Sequence, residues 1–188
     1  MPTEPASATT EQSPSDGPPR AVLIAALVVA VGAVGVVLGI AATRRPPTQP
    51  VAIASVPAPQ ADSPECHRLL DALPGALGDF QRATALDPVP AGTAAYRAGA
   101  EGDAVILRCG LDRPGEFVVG RPIQMVNQVQ WFRLDDPDTD RSTWVSVDRP
   151  AYVALTLPTG SGPTPIQTVS DLIARTMPSV PITPGPAG

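Results

Sequence analysis

The sequence predicts an α+β fold, a mainly antiparallel sheet with flanking helices, preceded by one transmembrane helix and a proline-rich linker. Three observations predict it. Ala21 to Thr43 is a run of 23 residues without a charge. Between residues 103 and 157, short alternating apolar segments follow one another across turn residues, the pattern of strands in hairpin order. Amphipathic stripes with helical spacing stand at both ends of that region.

The apolar run holds 12 Leu, Ile and Val residues between Arg20 and Arg44-Arg45. As a helix it extends roughly 35 Å, slightly more than a bilayer's hydrocarbon core. Ala21–Thr43 is therefore expected to make a lipid bilayer its partner. Flanking arginines do not set the orientation clearly. A short tail inside and a cysteine-paired domain outside form the consistent arrangement. Cleavage as a signal peptide is the competing reading, although the apolar region of a signal is shorter. Gly35 and Gly39 form a GxxxG that would let two helices approach closely, as a weak homodimer.

Residues 1–20 contain five prolines and almost no large apolar side chain, so a disordered cytoplasmic tail is expected. Residues 44–63, rich in proline, read as a semi-rigid stalk. The extracytoplasmic domain is then 64–178, with a disordered tail at 179–188.

The domain opens on a helix with Ser63 as N-cap, Pro64 at N1 and Glu65 in the first turn. Cys66, Leu69, Leu70 and Leu73 form its apolar stripe, and Pro74-Gly75 ends it. Leu77–Leu86 is a loop or short strand. Asp103–Cys109 is a strand with Val105, Leu107 and Cys109 on one face, and Gly110–Pro122 is mostly loop. Met125–Leu134 is a second strand, with Val129 and Trp131 on one side and Phe132 on the other. Ser142–Asp148 and Tyr152–Leu157 complete the set. Thr164-Pro165-Ile166-Gln167 reads as a capping box, and Ile166, Val169, Leu172, Ile173 and Met177 as the stripe of a closing helix.

Formal net charge is −5 and every one of the 13 Lys or Arg residues is arginine. No basic cluster extends beyond Arg44-Arg45, so nucleic-acid binding lacks its electrostatic footprint. The two cysteines, Cys66 and Cys109, read as one disulfide if the domain is exported and as buried thiols if it is cytosolic.

The set Cys66-His67-Arg68-Leu69-Leu70, Leu107-Arg108-Cys109-Gly110, Val129-Gln130-Trp131 and Arg149-Pro150 resembles a known family. It is similar to the actinobacterial membrane or exported proteins grouped as domain of unknown function 3515. Relatives often carry Trp-Gly before the Arg-Cys-Gly, where this chain has Tyr96-Arg97 and Glu101-Gly102. Some have a further cysteine where Met125 stands. The resemblance implies location and fold class and supplies no activity.

The search for chemistry is brief. One histidine, His67, rules out most metal and triad architectures, and adjacent helical residues such as Cys66 and His67 do not face each other. Asp136, Asp138 and Asp140 alternate like the start of a calcium loop, but Arg141 stands where glycine is needed and Val147 where glutamate closes it. Asp135 with Asp136, or Glu101 with Asp103, are carboxylate pairs without a reason to converge. Trp131 and Trp144 form either an aromatic platform for sugar or part of the core. The expectation is no catalytic residue, no metal and no cofactor, and a non-enzymatic envelope module binding an unknown envelope protein or cell-wall partner. A carboxylate-dependent envelope hydrolase is the alternative.

Overall fold

Alternating apolar residues build eight strands, and in the computed structural model all eight join one antiparallel sheet. The structure describes residues 20–43, 49–136 and 138–187. Two compact units divide at residue 46. The first contains helix α1 (Arg20–Thr43), in which each side chain from Arg20 to Gly39 is exposed. Its length and apolar composition match a membrane span or a signal sequence. The expected disordered tail falls, apart from Arg20, outside the described residues, as do Arg44 and Arg45.

In the second unit the elements run α2 (Pro64–Asp71), β1 (Ala76–Leu77), β2 (Phe80–Ala83), β3 (Thr93–Arg97), β4 (Ala104–Leu111), β5 (Gln124–Val126), β6 (Val129–Asp136), β7 (Arg141–Ser146), β8 (Tyr152–Pro158) and α3 (Thr164–Thr176). The strand order is β1-β2-β3-β4-β8-β7-β6-β5. Two four-stranded meanders thus meet at the β4–β8 seam, and every pairing is antiparallel.

Alternation decides which side chains go where. Val105, Leu107 and Cys109 of β4, Val129 and Trp131 of β6, and Val153, Leu155 and Leu157 of β8 share one face. The stripes of α2 and α3 cover that face through Cys66, Leu69, Ile166, Val169, Leu172 and Ile173. Ser63 caps α2 as its sequence dictates, accepting a hydrogen bond from the Cys66 N–H at 3.3 Å. The start of α3 differs from expectation. Thr164 is already helical, the cap position is Pro163, and no side-chain hydrogen bond closes a capping box. The Gln167 N–H instead donates to the Pro163 carbonyl at 3.1 Å.

Strand limits also differ. β3 was not foreseen, since Thr93–Arg97 is short and lies among prolines and glycines. Its Tyr96 is fully buried, with the hydroxyl donating to the Pro74 carbonyl at 2.8 Å and accepting from Arg82 at 3.1 Å. Burial pushes that phenol up, against the opposing pull of Arg82. The single strand expected at Met125–Leu134 is two strands, because Asn127 adopts φ 52° and reverses the chain. β7 stops at Ser146 and Leu111 joins β4.

The other sheet face is covered by chain without regular structure, and here two expectations change. Residues 49–63 do not stand free as a spacer. Val51 and Ile53 are buried against Ala83, Ala95, Ala104 and Ile106, a trough that small alanines leave shallow enough for an extended strap. Val51 bonds to both sides of β2's exit, donating to Thr84 at 2.8 Å and accepting from Leu86 at 2.9 Å. The segment after α3 is not free either. The Val180 N–H donates to the Asp148 carbonyl at 3.0 Å, and Gly185 donates to Phe117 and accepts from Val119. Beneath this tail lie Phe117, Phe132 and Val147. Proline content predicted extension for the strap, but here the extended chain lies against apolar surface and not in water, and the tail, expected to be disordered, is held by backbone hydrogen bonds at Val180 and Gly185.

Gly110, with φ 88°, marks the crossing of strap and strand. Its carbonyl accepts from the Gln60 N–H at 3.0 Å, and a Cβ there would sit 2.3 Å from the backbone of Gln60 and Ala61. Gly110→Ala is therefore expected to cost about 2–3 kcal/mol through backbone strain and displacement of the strap. Limited proteolysis should then cut between residues 49 and 62. An unchanged proteolysis pattern would show that the strap does not depend on this contact.

Candidate functional site

A cleft of about 750 Å³ opens on the helix-covered face. Its walls are the start of α3 with the preceding Gly160–Gly162 loop, the β6–β7 hairpin, and the β5–β6 turn. Register places Arg133 opposite Trp144 and Asp135 opposite Ser142, so pleating brings all four to the same surface. The Arg133 guanidinium lies over the Trp144 ring at 5.3 Å and is clamped by Asp135, which accepts from Nε at 2.7 Å. Trp144 donates from Nε1 to the Ser142 hydroxyl at 3.1 Å.

The rim is acidic. Arg141 pairs with Asp103 at 2.9 Å, outside the cleft, while Asp136 and Asp140 have no ion-pair partner among the described residues. Hydrogen bonds from the Thr139 hydroxyl and the Asp138 backbone N–H hold the Asp136 carboxyl below the usual carboxylate range. Pro137 of the acidic turn lies outside the described residues.

The sequence-level candidates separate on this frame. Trp131 is core: it is fully buried and donates to the Ser170 hydroxyl at 3.0 Å, which in turn donates to the Ile166 carbonyl. Trp144 alone reaches the cleft. Asp135 and Asp136 both line it, Asp135 tied to Arg133, whereas Asp103 is drawn to Arg141. His67 is exposed on α2. Cys66 and Cys109 form the disulfide, with Cα atoms 5.6 Å apart and both residues fully buried. It ties α2 to the central strand.

Arg108, beside Cys109, points to the opposite face. It donates to the Ala54 carbonyl of the strap at 3.4 Å rather than to a carboxylate, and burial lowers its pKa. Asp148 and Arg149 escaped the sequence reading as a pair. They are buried together, with Arg149 Nη1 2.7 Å from the Asp148 carboxylate and Nη2 donating to the Gln128 carbonyl at 2.7 Å. Asp148 also accepts the Gln130 N–H at 3.1 Å. Asp-Arg-Pro resembles any exposed turn, so only its burial distinguishes it. Arg133 left a fainter trace, as a charge inside an otherwise apolar strand pattern.

These features define a class: an α+β domain with a two-faced antiparallel sheet and a buried disulfide, in a chain with an apolar helix near its N-terminus fit to be a membrane span or signal. The chain belongs to the family described as Protein of unknown function (DUF3515), whose model matches residues 27–182. Neither the curated proteins nor the solved structures contain a match to it.

Proposed function

We propose that the chain is a single-pass envelope protein whose extracytoplasmic domain is a non-enzymatic binding module, with the cleft beside Trp144 as its contact surface. The observation that carries this reading is a buried disulfide in a chain with an apolar helix near its N-terminus, since disulfides persist outside the reducing cytosol. The bilayer is the partner of Ala21–Thr43, with Gly35 and Gly39 available for a weak homodimer. An envelope protein or cell-wall component is the partner of the domain. A carboxylate-dependent hydrolase is the alternative: it needs one carboxyl raised to serve as acid beside an ionised partner, and hydrogen bonds from Thr139 and Asp138 favour the ionised form at Asp136.

Orientation supplies the test. Glu116 is exposed on the loop after β4, so Glu116→Cys offers a thiol to a membrane-impermeant maleimide. Labelling is expected in intact cells without permeabilisation. Labelling only after the membrane is opened would place the domain inside and end the envelope reading.

A further inference from the structure

Building on the binding-module reading, we infer that the cleft takes a short, neutral saccharide chain, with the Arg133–Trp144 stack as its floor and Asp136, Asp140 and Gln167 as its hydrogen-bonding rim. The argument begins with charge. Both arginines of the lining are already paired, Arg133 with Asp135 and Arg141 with Asp103. Asp136 and Asp140 are not paired among the described residues, so the lining carries uncompensated negative charge and repels an anionic ligand.

The polar groups are of two kinds. Carboxylates at Asp136 and Asp140 only accept, the free Nη1 of Arg133 only donates, and the Gln167 amide does both. Sugar hydroxyls donate and accept from one atom, so a run of them is satisfied by such a mixed rim. Sugar rings also present faces of C–H bonds, which suit the flat outer face of the guanidinium that Trp144 holds in place by stacking. About 750 Å³ falls within the range of ligand clefts, roughly 300–1,000 Å³. The lining mixes Met125, Trp144 and Leu157 with Asp135, Asp136, Arg141 and Gln167, which does not suit a wholly hydrophobic ligand.

An extended peptide is the nearest competitor. The Gln130 carbonyl accepts from Val147 at 2.9 Å, so odd-numbered residues of β6 turn their backbone groups away from β7. Arg133 and Asp135 thus face outward beyond the end of β5, whose pairing stops at Trp131. A strand could add there only against two charged side chains already locked to each other, the device by which sheet edges refuse partners. The same locked arginine thus guards the edge and floors the cleft.

The test uses the full chain in phosphatidylcholine nanodiscs, since sugar-headed detergents would compete. N-acetylchitotriose, cellotriose and maltotriose are titrated by calorimetry, with an oligo-arginine peptide as the rival probe. At least one trisaccharide is expected to bind saturably, with an affinity that salt leaves unchanged. Gln167→Ala and Asp140→Ala alter exposed side chains, so circular dichroism should stay native while affinity falls about tenfold, the effect of one lost hydrogen bond. Failure of all three sugars overturns the assignment, as does binding that neither variant weakens, or salt-sensitive binding of the peptide alone. The Glu116→Cys labelling is independent of these titrations, so a failed sugar assay leaves the envelope reading standing and a failed labelling does not touch the cleft chemistry.

Discussion

Replacing Cys66 and Cys109 together by alanine is expected to lower the stability of the domain by about 4 kcal/mol, the chain-entropy value for a loop of this length. The two residues lie 43 apart in sequence. Between them run α2, β1, β2, β3 and β4, half of the sheet, so the cross-link restrains a large part of the unfolded chain. Both residues belong to the main core cluster, and alanine also leaves small voids there. The melting temperature should fall by about 10 °C for a domain of this size. A fall of only one or two degrees would mean that the unfolded chain is already compact between these positions.

Asp148→Ala should be of similar size, about 3–5 kcal/mol, because it strands a buried guanidinium. Arg149 is only 4% exposed and Asp148 only 2%. Together they hold three segments: Gln128 and Gln130 belong to the turn and second strand of the β5–β6 hairpin, the pair itself forms the β7–β8 turn, and Val180 of the C-terminal tail bonds to the Asp148 carbonyl. Removing the acid leaves the Gln130 N–H without its acceptor and the Arg149 charge without its carboxylate partner, the Gln128 carbonyl alone of its distant contacts remaining. The double variant Asp148→Ala with Arg149→Met removes the orphaned charge as well, so it should cost less than Asp148→Ala alone. Urea denaturation of the three proteins measures this directly. A double variant at least as damaged as the single one would show that packing, rather than an unpaired charge, sets the loss.

Much of the sheet was legible from residue order. Val105, Leu107 and Cys109 alternate with Ile106 and Arg108, and that period of two already assigned them to opposite faces. The α2 start was equally plain, because Ser63, Pro64 and Glu65 act on backbone groups within one turn. What escaped was set by distant partners. Thr93–Arg97 becomes a strand because β2 and β4 flank it, not because its own residues demand it. Trp131 and Trp144 have the same composition and comparable strand positions. They part company because α3 covers Trp131, whose indole N–H donates to Ser170, while Trp144 lines the cleft beside the start of that helix.

The apolar helix, the alternating strands that became β4, β6, β7 and β8, and the helical stripes at both ends were determined by the sequence itself, since each follows from periodicity or capping within a few residues, whereas the pairing of β4 with β8 does not. Tertiary structure alone decided that the proline-rich strap and the tail lie on the second face, that Asp148 and Arg149 are buried together, and that Arg133, Trp144 and the acidic rim share one cleft. The physical reason is that burial and charge pairing belong to contacts between segments far apart in the chain, which a local pattern does not encode.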